Sequence, residues 1–438
     1  MAIIRLKKGY DLNLKGRIVD PAIGEASTSE LYAIVPDDFT GLTPRMDKRE
    51  GERVRAGEPL FHDKTYDQIK VSSPVSGVVK EVRRGLRRHI DAIVIAPDNQ
   101  ANVVTHDTNG DFRSVLLESG LWAMLRQRPY DIVPSPEVRP RDIFVTGFDS
   151  APLAPDLMVV LGDDKQYINK GVEVLHGLTD GNVYLGFKPG NELEVDGAVV
   201  NTFRGPHPAG NAGVQLANVK PVNKGEVVWT LDIVTLARIG RLFSTGQVSH
   251  DTIVALTGEC VDTPHYVRAT MGCQMRSLLG DLDPSDTRII SGNVLSGYRV
   301  EADGFLRAPY RHVTVIPEVA KPDEFMGWAS LCPSRFSIYR TFTSWLTGKR
   351  EVSMDARVKG GERAIVRTDE YDDMLPMDIY AEFLIKAIIT FDIDKMEQLG
   401  VYEIAPEDFA LAEYACTSKL ELQRIVREGL DRLRNEMC

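Results

Sequence analysis

Between Leu31 and about Ile95, apolar and polar positions alternate with a period of two in short runs, each stopped by Gly or Pro. The stretches Glu50 to Phe61 and Val71 to Val79 carry the pattern most clearly and predict a small all-β barrel or sandwich. The period then lengthens. Val115, Leu116, Leu117, Leu121, Trp122 and Leu125 predict a helix over 112–126, interrupted near Gly120 and stopped before Pro129. Strands are predicted at 143–146, at 157–161 with a helical reading left open, at 183–186 and at 227–230, the last feeding a helix from Ile233 to Phe243. Such alternation argues an α/β layer domain. The β signal restarts at 253–258 and 262–267, whereas 334–347 has mixed period and receives no assignment. Beyond Pro376 the pattern is helical: Ile379 to Thr390, a helix opening near Pro406 with Glu407 and Asp408 in its first turn, and a third from Leu420 to Glu436.

The 438 residues are too many for one core, so the expectation is an α+β multidomain chain divided at 1–105, 106–252, 253–360 and 361–438. A net charge of -11 excludes a nucleic-acid binder as a class, because phosphate backbones require clustered Lys and Arg. The run Arg83-Arg84-Gly85-Leu86-Arg87-Arg88-His89 goes against that charge and reads as a solvated strand end and turn, with an anionic partner or lipid headgroup as the alternative. No apolar stretch approaches the roughly 18 to 20 residues that span a bilayer, and Met1 to Lys8 lacks a signal core. The chain is expected to be cytoplasmic unless a partner holds it to a membrane. Cys260, Cys273, Cys332, Cys416 and Cys438 are scattered, with no C-x-x-C pair, which predicts reduced thiols and no metal or iron–sulfur cluster on this chain. No nucleophile triad, P-loop or intact G-x-G-x-x-G is present.

Gly205-Pro206-His207-Pro208-Ala209-Gly210 sets two rigid prolines and two permissive glycines around one imidazole. Asp232 to Phe243, closed by Gly246, follows about thirty residues later. Ser119-Gly120-Leu121-Trp122, Ile290-Ser291-Gly292 and Gly360-Gly361-Glu362-Arg363-Ala364 complete the set. Together these resemble the A-subunit family of the sodium-translocating NADH:quinone oxidoreductases, over nearly the whole length. The resemblance implies a peripheral subunit, without a transmembrane segment, on the cytoplasmic face of a bacterial inner membrane. Its partners would be the other subunits of the complex, especially the membrane-embedded quinone and flavin subunit, and its substrate ubiquinone or menaquinone. The complex would carry FAD, a 2Fe-2S or related iron–sulfur centre, covalent FMN and riboflavin, all on other subunits, with sodium export coupled.

The same resemblance implies an N-terminal barrel-sandwich hybrid like that of biotinyl and lipoyl carriers, a Rossmann-like α/β layer domain, a β-grasp (soluble-ligand-binding) module and a C-terminal helical domain. In the carriers a lysine at a hairpin tip bears the cofactor, and Lys64 lies near that point. Its setting, His62-Asp63-Lys64-Thr65-Tyr66, departs from Met-Lys-Met and Asp-Lys-Ala, so an unmodified module is expected.

The α/β domain further resembles the flavin-bearing subunits of complex I and the Rnf complex, with three departures. Bulky residues from Gly120 to Tyr130 replace a glycine-rich phosphate cradle, Asp149-Ser150-Ala151-Pro152 replaces Glu-x-Glu-Pro, and Asp232-Ile233-Val234-Thr235 replaces Asn-Val-Glu-Thr. Apolar bulk in place of the cradle suits a quinone better than a dinucleotide. Trp122, Met124, Arg126, Arg128 and Tyr130 are the candidate quinone-proximal residues, with Ala33, Val35, Phe39 and Leu42 as a second wall. The duller account is that they fill the vacated cavity or face a partner. His207 is read either as a group for proton transfer near neutral pH or as a rigid turn. Two other readings stay open: a stand-alone FMN/NADH dehydrogenase, and a lipoyl or biotinyl carrier.

Overall fold

The computed structural model describes residues 2–98, 100, 102–319, 336–347, 351–366 and 369–437. Cys332, Cys438 and the start of the unassigned 334–347 stretch lie outside them.

Period-two alternation produces the barrel. A sheet ordered Tyr32–Ile34, Ile90–Pro97, Gly77–Arg84, Arg53–Val54 packs against one ordered Pro44–Met46, Pro59–Asp63, Lys70–Ser72, sharing Leu60, Phe61, Val79, Ile93 and Ile95 in one core. Asp63 fixes the turn after its strand by accepting from the amides of Thr43 at 2.7 Å and Tyr66 at 2.9 Å, leaving Lys64 exposed. The first residues pair elsewhere: Ala2–Arg5 lies parallel to Val199–Arg204, and Ile23–Glu25 parallel to His265–Thr270. They staple later units together through backbone hydrogen bonds.

The central sheet runs Ala2–Arg5, Val199–Arg204, Val183–Phe187, Ile143–Thr146, Val228–Asp232, Arg126–Arg128, parallel except for the last strand. Ile143 and Val145 point into the core shared with helices Ile168–Leu178 and Ile233–Thr245, whereas Phe144 points to the core of the C-terminal helices. The two helices pack closely enough that a Cβ on Gly240 would lie 1.9 Å from the Tyr167 carbonyl oxygen. Residues 157–161 form a helix, and the strand reading is corrected: Asp156 accepts from the Met158 amide at 2.9 Å as N-cap, and Leu157, Val160 and Leu161 bury one helical face. Helices Ile168–Leu178, Ala212–Val219 and Ile393–Gln398 have no counterpart among the elements expected from the sequence.

A mixed sheet ordered Tyr298–Val300, Thr287–Ser291, His312–Pro317, Asp251–Thr257, His265–Thr270, Ile23–Glu25 follows. Asp38, 5% exposed, joins three regions. Its carboxylate accepts from the Ala308 amide at 2.8 Å and from the Arg307 guanidinium, and its carbonyl accepts from Arg126. The C-terminal helices Ala381–Thr390, Ala410–Ala415 and Leu422–Met437 close the other face of the central sheet around Leu384, Ile388, Leu411 and Leu430.

Candidate functional site

From Ile143–Thr146 the chain steps outward on one side, to Val183–Phe187 and then Val199–Arg204. It then crosses back to add Val228–Asp232 on the other side. Strand order therefore reverses between Ile143–Thr146 and Val228–Asp232, whose carboxyl ends align as Thr146 opposite Asp232. Loops diverge at such a point and leave a crevice there. A cavity of about 980 Å³ opens above these ends, with Thr146, Phe148, Asp149 and Asp232 on its floor.

The three departures singled out in the sequence converge on this cavity. Met124, Arg126 and Arg128 line it from the first, Asp149 and Ala151 from the second, Asp232 and Thr235 from the third. Phe39 and His207 also line it. Trp122, Tyr130, Ala33, Val35 and Leu42 do not. Trp122 is wholly buried, meets Trp229 edge-on with ring centres 5.0 Å apart, and donates Nε1–H to the Pro134 carbonyl at 2.9 Å. Tyr130, 8% exposed, joins the core of the C-terminal helices, and Ala33 packs with Val94 and Phe305. The lining is consequently far more polar than the aromatic and aliphatic wall expected, because the large apolar side chains of the 120–130 segment turn away into cores.

Asp232 caps its helix by accepting from the Thr235 amide at 2.7 Å and is paired with Arg311 at 2.7 Å. Burial pushes its carboxyl up, but Arg311 and the cap outweigh that and hold it below the usual range. The same opposition acts on Asp131, where Arg128, Arg126 and Arg427 outweigh burial. Asp149, exposed on the cavity wall beside Asp232, is raised by desolvation and by that neighbouring carboxylate. Glu407 is pushed up to about 8 by burial and by neighbouring Asp408, while Asp408 is itself raised by burial to about 6. Glu407 keeps 48% of its side chain open on the cavity wall, with the Asp408 carboxylate beside it disfavouring a second charge. Fully buried Arg128 bridges Asp131 and, at 3.7 Å, Glu407.

His207 is 4% exposed and lowered to about 4 by burial. Burial therefore favours its neutral form at pH 7. Its Nδ1 lies 3.0 Å from Ser150 Oγ, which accepts from the Gly210 amide at 2.8 Å. The hydroxyl can donate to Nδ1, in the tautomer that carries the ring proton on Nε2. His207 Nε2, Arg126 Nη1, Arg128 Nε, Arg311 Nε and Arg427 Nε are buried without hydrogen-bond partners in the structure, and all five residues line the cavity. Such groups cost stability unless something accepts from them. Glu407 and Asp408 stand out in the sequence only as helix-start acids, and nothing in the local pattern marks Arg311 or Arg427.

Elsewhere Cys416 is buried with its Sγ 3.0 Å from the Tyr371 hydroxyl. Among the described residues no trio of His, Cys, Asp or Glu is placed to hold a metal ion, and no helix is long and apolar enough to cross a membrane.

The architecture defines a multidomain α/β protein with an N-terminal barrel-sandwich domain and a ligand-sized crevice at the strand-order reversal. By family comparison, residues 4–98 match the "NqrA N-terminal barrel-sandwich hybrid domain", 108–248 the "NqrA second alpha/beta domain" and 253–302 the "NQRA C-terminal domain". The chain is 34% identical to the A-subunit of the Na(+)-translocating NADH-quinone reductase of Rhodopirellula baltica, over 99% of both chains. It is also 34% identical to that of Photorhabdus laumondii, over 99% of this chain and all of the relative, and 32% identical to that of Yersinia pestis over the same shares. The chain belongs to the A-subunit family of the Na(+)-translocating NADH-quinone reductases.

Proposed function

We propose that this chain is the peripheral subunit of a sodium-pumping NADH:quinone oxidoreductase, docked on the membrane-embedded subunits at the cytoplasmic face. Its switch-point cavity contributes to the site of ubiquinone or menaquinone. The redox centres of the complex, FAD, an iron–sulfur centre, covalent FMN and riboflavin, sit on its partners. The α/β unit is read as a flavin-subunit-type, Rossmann-like domain that has exchanged nucleotide recognition for this role, followed by a β-grasp module and a helical domain with the boundaries given above.

The observation that carries the reading is the set of partnerless nitrogens around one cavity. A quinone ring presents carbonyl oxygens that accept from N–H groups and an apolar edge for Phe39, Met124 and Phe148. The volume, about 980 Å³, is at the upper end of ordinary ligand pockets and leaves room for part of an isoprenoid tail. A dinucleotide suits it less, since Asp131 and Asp232, whose carboxyls are held below the usual range, line the same space and repel a phosphate. Neutral His207 would donate Nε2–H to a carbonyl oxygen, Arg126 and Arg128 would hold the ring, and Glu407, carrying its proton at neutral pH, is placed to deliver it to a reduced oxygen.

The test is photo-crosslinking with a quinone analogue in the assembled complex. Labelling within Asp37 to Thr40 or Met124 to Arg128 is expected, with His207→Asn weakening it about tenfold, the worth of one charge-independent donor at about 1.4 kcal/mol. Unchanged labelling in that variant, or labels confined to other subunits, removes the quinone role and leaves docking. Two alternatives have cheaper tests: flavin absorbance in the purified chain would restore a stand-alone dehydrogenase, and a mass increment at Lys64 a carrier.

A further inference from the structure

The tip of the hairpin formed by Gly77–Arg84 and Ile90–Pro97 projects beyond the barrel core, which ends at buried Ile90. Residues Arg83 to His89 are all exposed, and Leu86 stands 91% exposed at the apex of a single 3-10 turn. Arg87 and Arg88 both hold left-handed backbone, with φ of 55° and 64°. Two successive turn positions of that kind ordinarily call for Gly, Asn or Asp, which adopt it with little strain. Here they carry long cations, beside a leucine with nothing to pack on. A turn that only had to reverse the chain in water would use neither.

The charges explain the choice. From Lys80 to Asp91 the tip has five cations, Lys80, Arg83, Arg84, Arg87 and Arg88, against Glu81 and Asp91. Arg83 is engaged by Glu81 at 3.1 Å and lies over the Phe305 ring, and Arg84 donates to the Arg88 carbonyl at 3.2 Å, closing the turn on itself. His89 meets Asp37 at 2.9 Å. The turn therefore presents Arg84, Arg87 and Arg88 around Leu86, on a molecule whose net charge is -11. At physiological salt, fields are screened within about 8 Å, so this local patch and not the net charge decides what can approach the tip.

We propose that this hairpin tip is a membrane contact: Arg84, Arg87 and Arg88 sit among the anionic headgroups of a phospholipid bilayer and Leu86 enters the interface between them. Arginine forks match phosphate oxygens, and a single apolar side chain below a ring of cations is the arrangement that interfacial anchors use. The contact orients the subunit toward the bilayer independently of the cavity, so it stands whether or not the quinone reading does.

The test is flotation of the full chain with vesicles of about 30% phosphatidylglycerol in phosphatidylcholine, beside vesicles of phosphatidylcholine alone, at low salt. Binding to the anionic vesicles only is expected, weakening as salt rises. Because each basic residue near an anionic surface contributes about fivefold, R87E/R88E should reduce partitioning at least tenfold and Leu86→Asp several-fold. The charge-matched control K7E/K8E, also on exposed residues, should change it little. Circular dichroism melts of these exposed variants should match the parent. No binding to anionic vesicles, or an equal loss with K7E/K8E, overturns the proposal. So does an R87E/R88E chain that still binds vesicles but no longer assembles with the complex, since an acidic protein surface would then be the partner.

Discussion

The segment from Leu121 to Arg128 has two faces that differ in how their polar groups are served. On one, Trp122 and Leu125 are wholly buried, and the indole N–H has its acceptor in Pro134. On the other, Arg126 and Arg128 reach the cavity with guanidinium nitrogens that have no partner. Trp122 and Arg128 are both buried, so burial does not distinguish the two faces. Surroundings do: the Trp122 indole is served by the protein, and the atoms left unpaired inside the fold, Trp229 Nε1 and Gln127 Oε1, have no open space beside them, whereas the unpaired guanidinium nitrogens border an open volume that another molecule can enter.

The comparison breaks first at Trp122. Trp122→Ala should destabilise the chain by about 3–5 kcal/mol, as removal of one of two wholly buried tryptophans among the described residues, measured by urea unfolding. If instead it unfolds like the parent while losing quinone labelling, the two faces are not separate. Asp38→Ala comes next, with an expected loss of about 3 kcal/mol, because it removes the partner of the half-buried Arg307 guanidinium and of the buried Ala308 amide between regions. The cavity face should respond differently. Arg126→Met removes an unpaired donor without stranding an ion-pair partner, since that guanidinium bonds the Asp38 carbonyl, so its effect on labelling should exceed its effect on the unfolding midpoint.

Two pH effects of opposite sign sharpen the contrast. His207 has a folded pKa near 4 against 6.5 unfolded, so the unfolded chain binds the extra proton. Its contribution to stability, roughly 3 kcal/mol, is present above pH 6.5 and is lost as pH falls toward 4. The Glu407 and Asp408 pair is raised, toward about 8 and about 6, so its contribution is fully present below the ordinary carboxyl range and is lost as pH rises through those values. His207→Asn should flatten the rise of a stability–pH profile between about pH 4 and 6.5, and Glu407→Gln the decline between about pH 4.5 and 8. A profile unchanged by Glu407→Gln would mean that Glu407 is solvated like a surface acid. The smallest effect is expected away from both faces. Asp111→Ala removes the side chain that accepts from the Ser114 amide at 3.2 Å, at a cost of about 1 kcal/mol, and should leave labelling untouched.

Periodicity and punctuation by themselves determined the barrel between Leu31 and Ile95, the strand feeding the helix at Ile233 and the helical C-terminal region, because each is written in neighbouring residues that share a face. The motif residues around His207 and Asp232 carried the family. The Leu157–Leu161 helix was ambiguous because five apolar residues fit either period, and the Asp156 cap settled it. Tertiary structure alone decided where the site is. Ala2–Arg5 pairs with a strand about 200 residues away, and the cavity draws Arg311 and Glu407 from segments that share no local pattern with Met124 or Asp232. Nor was the direction of each side chain legible within 120–130, since both Trp122 and Arg128 become buried, and only the packing of the sheet against the C-terminal helices shows which of them meets a finished core and which an open volume.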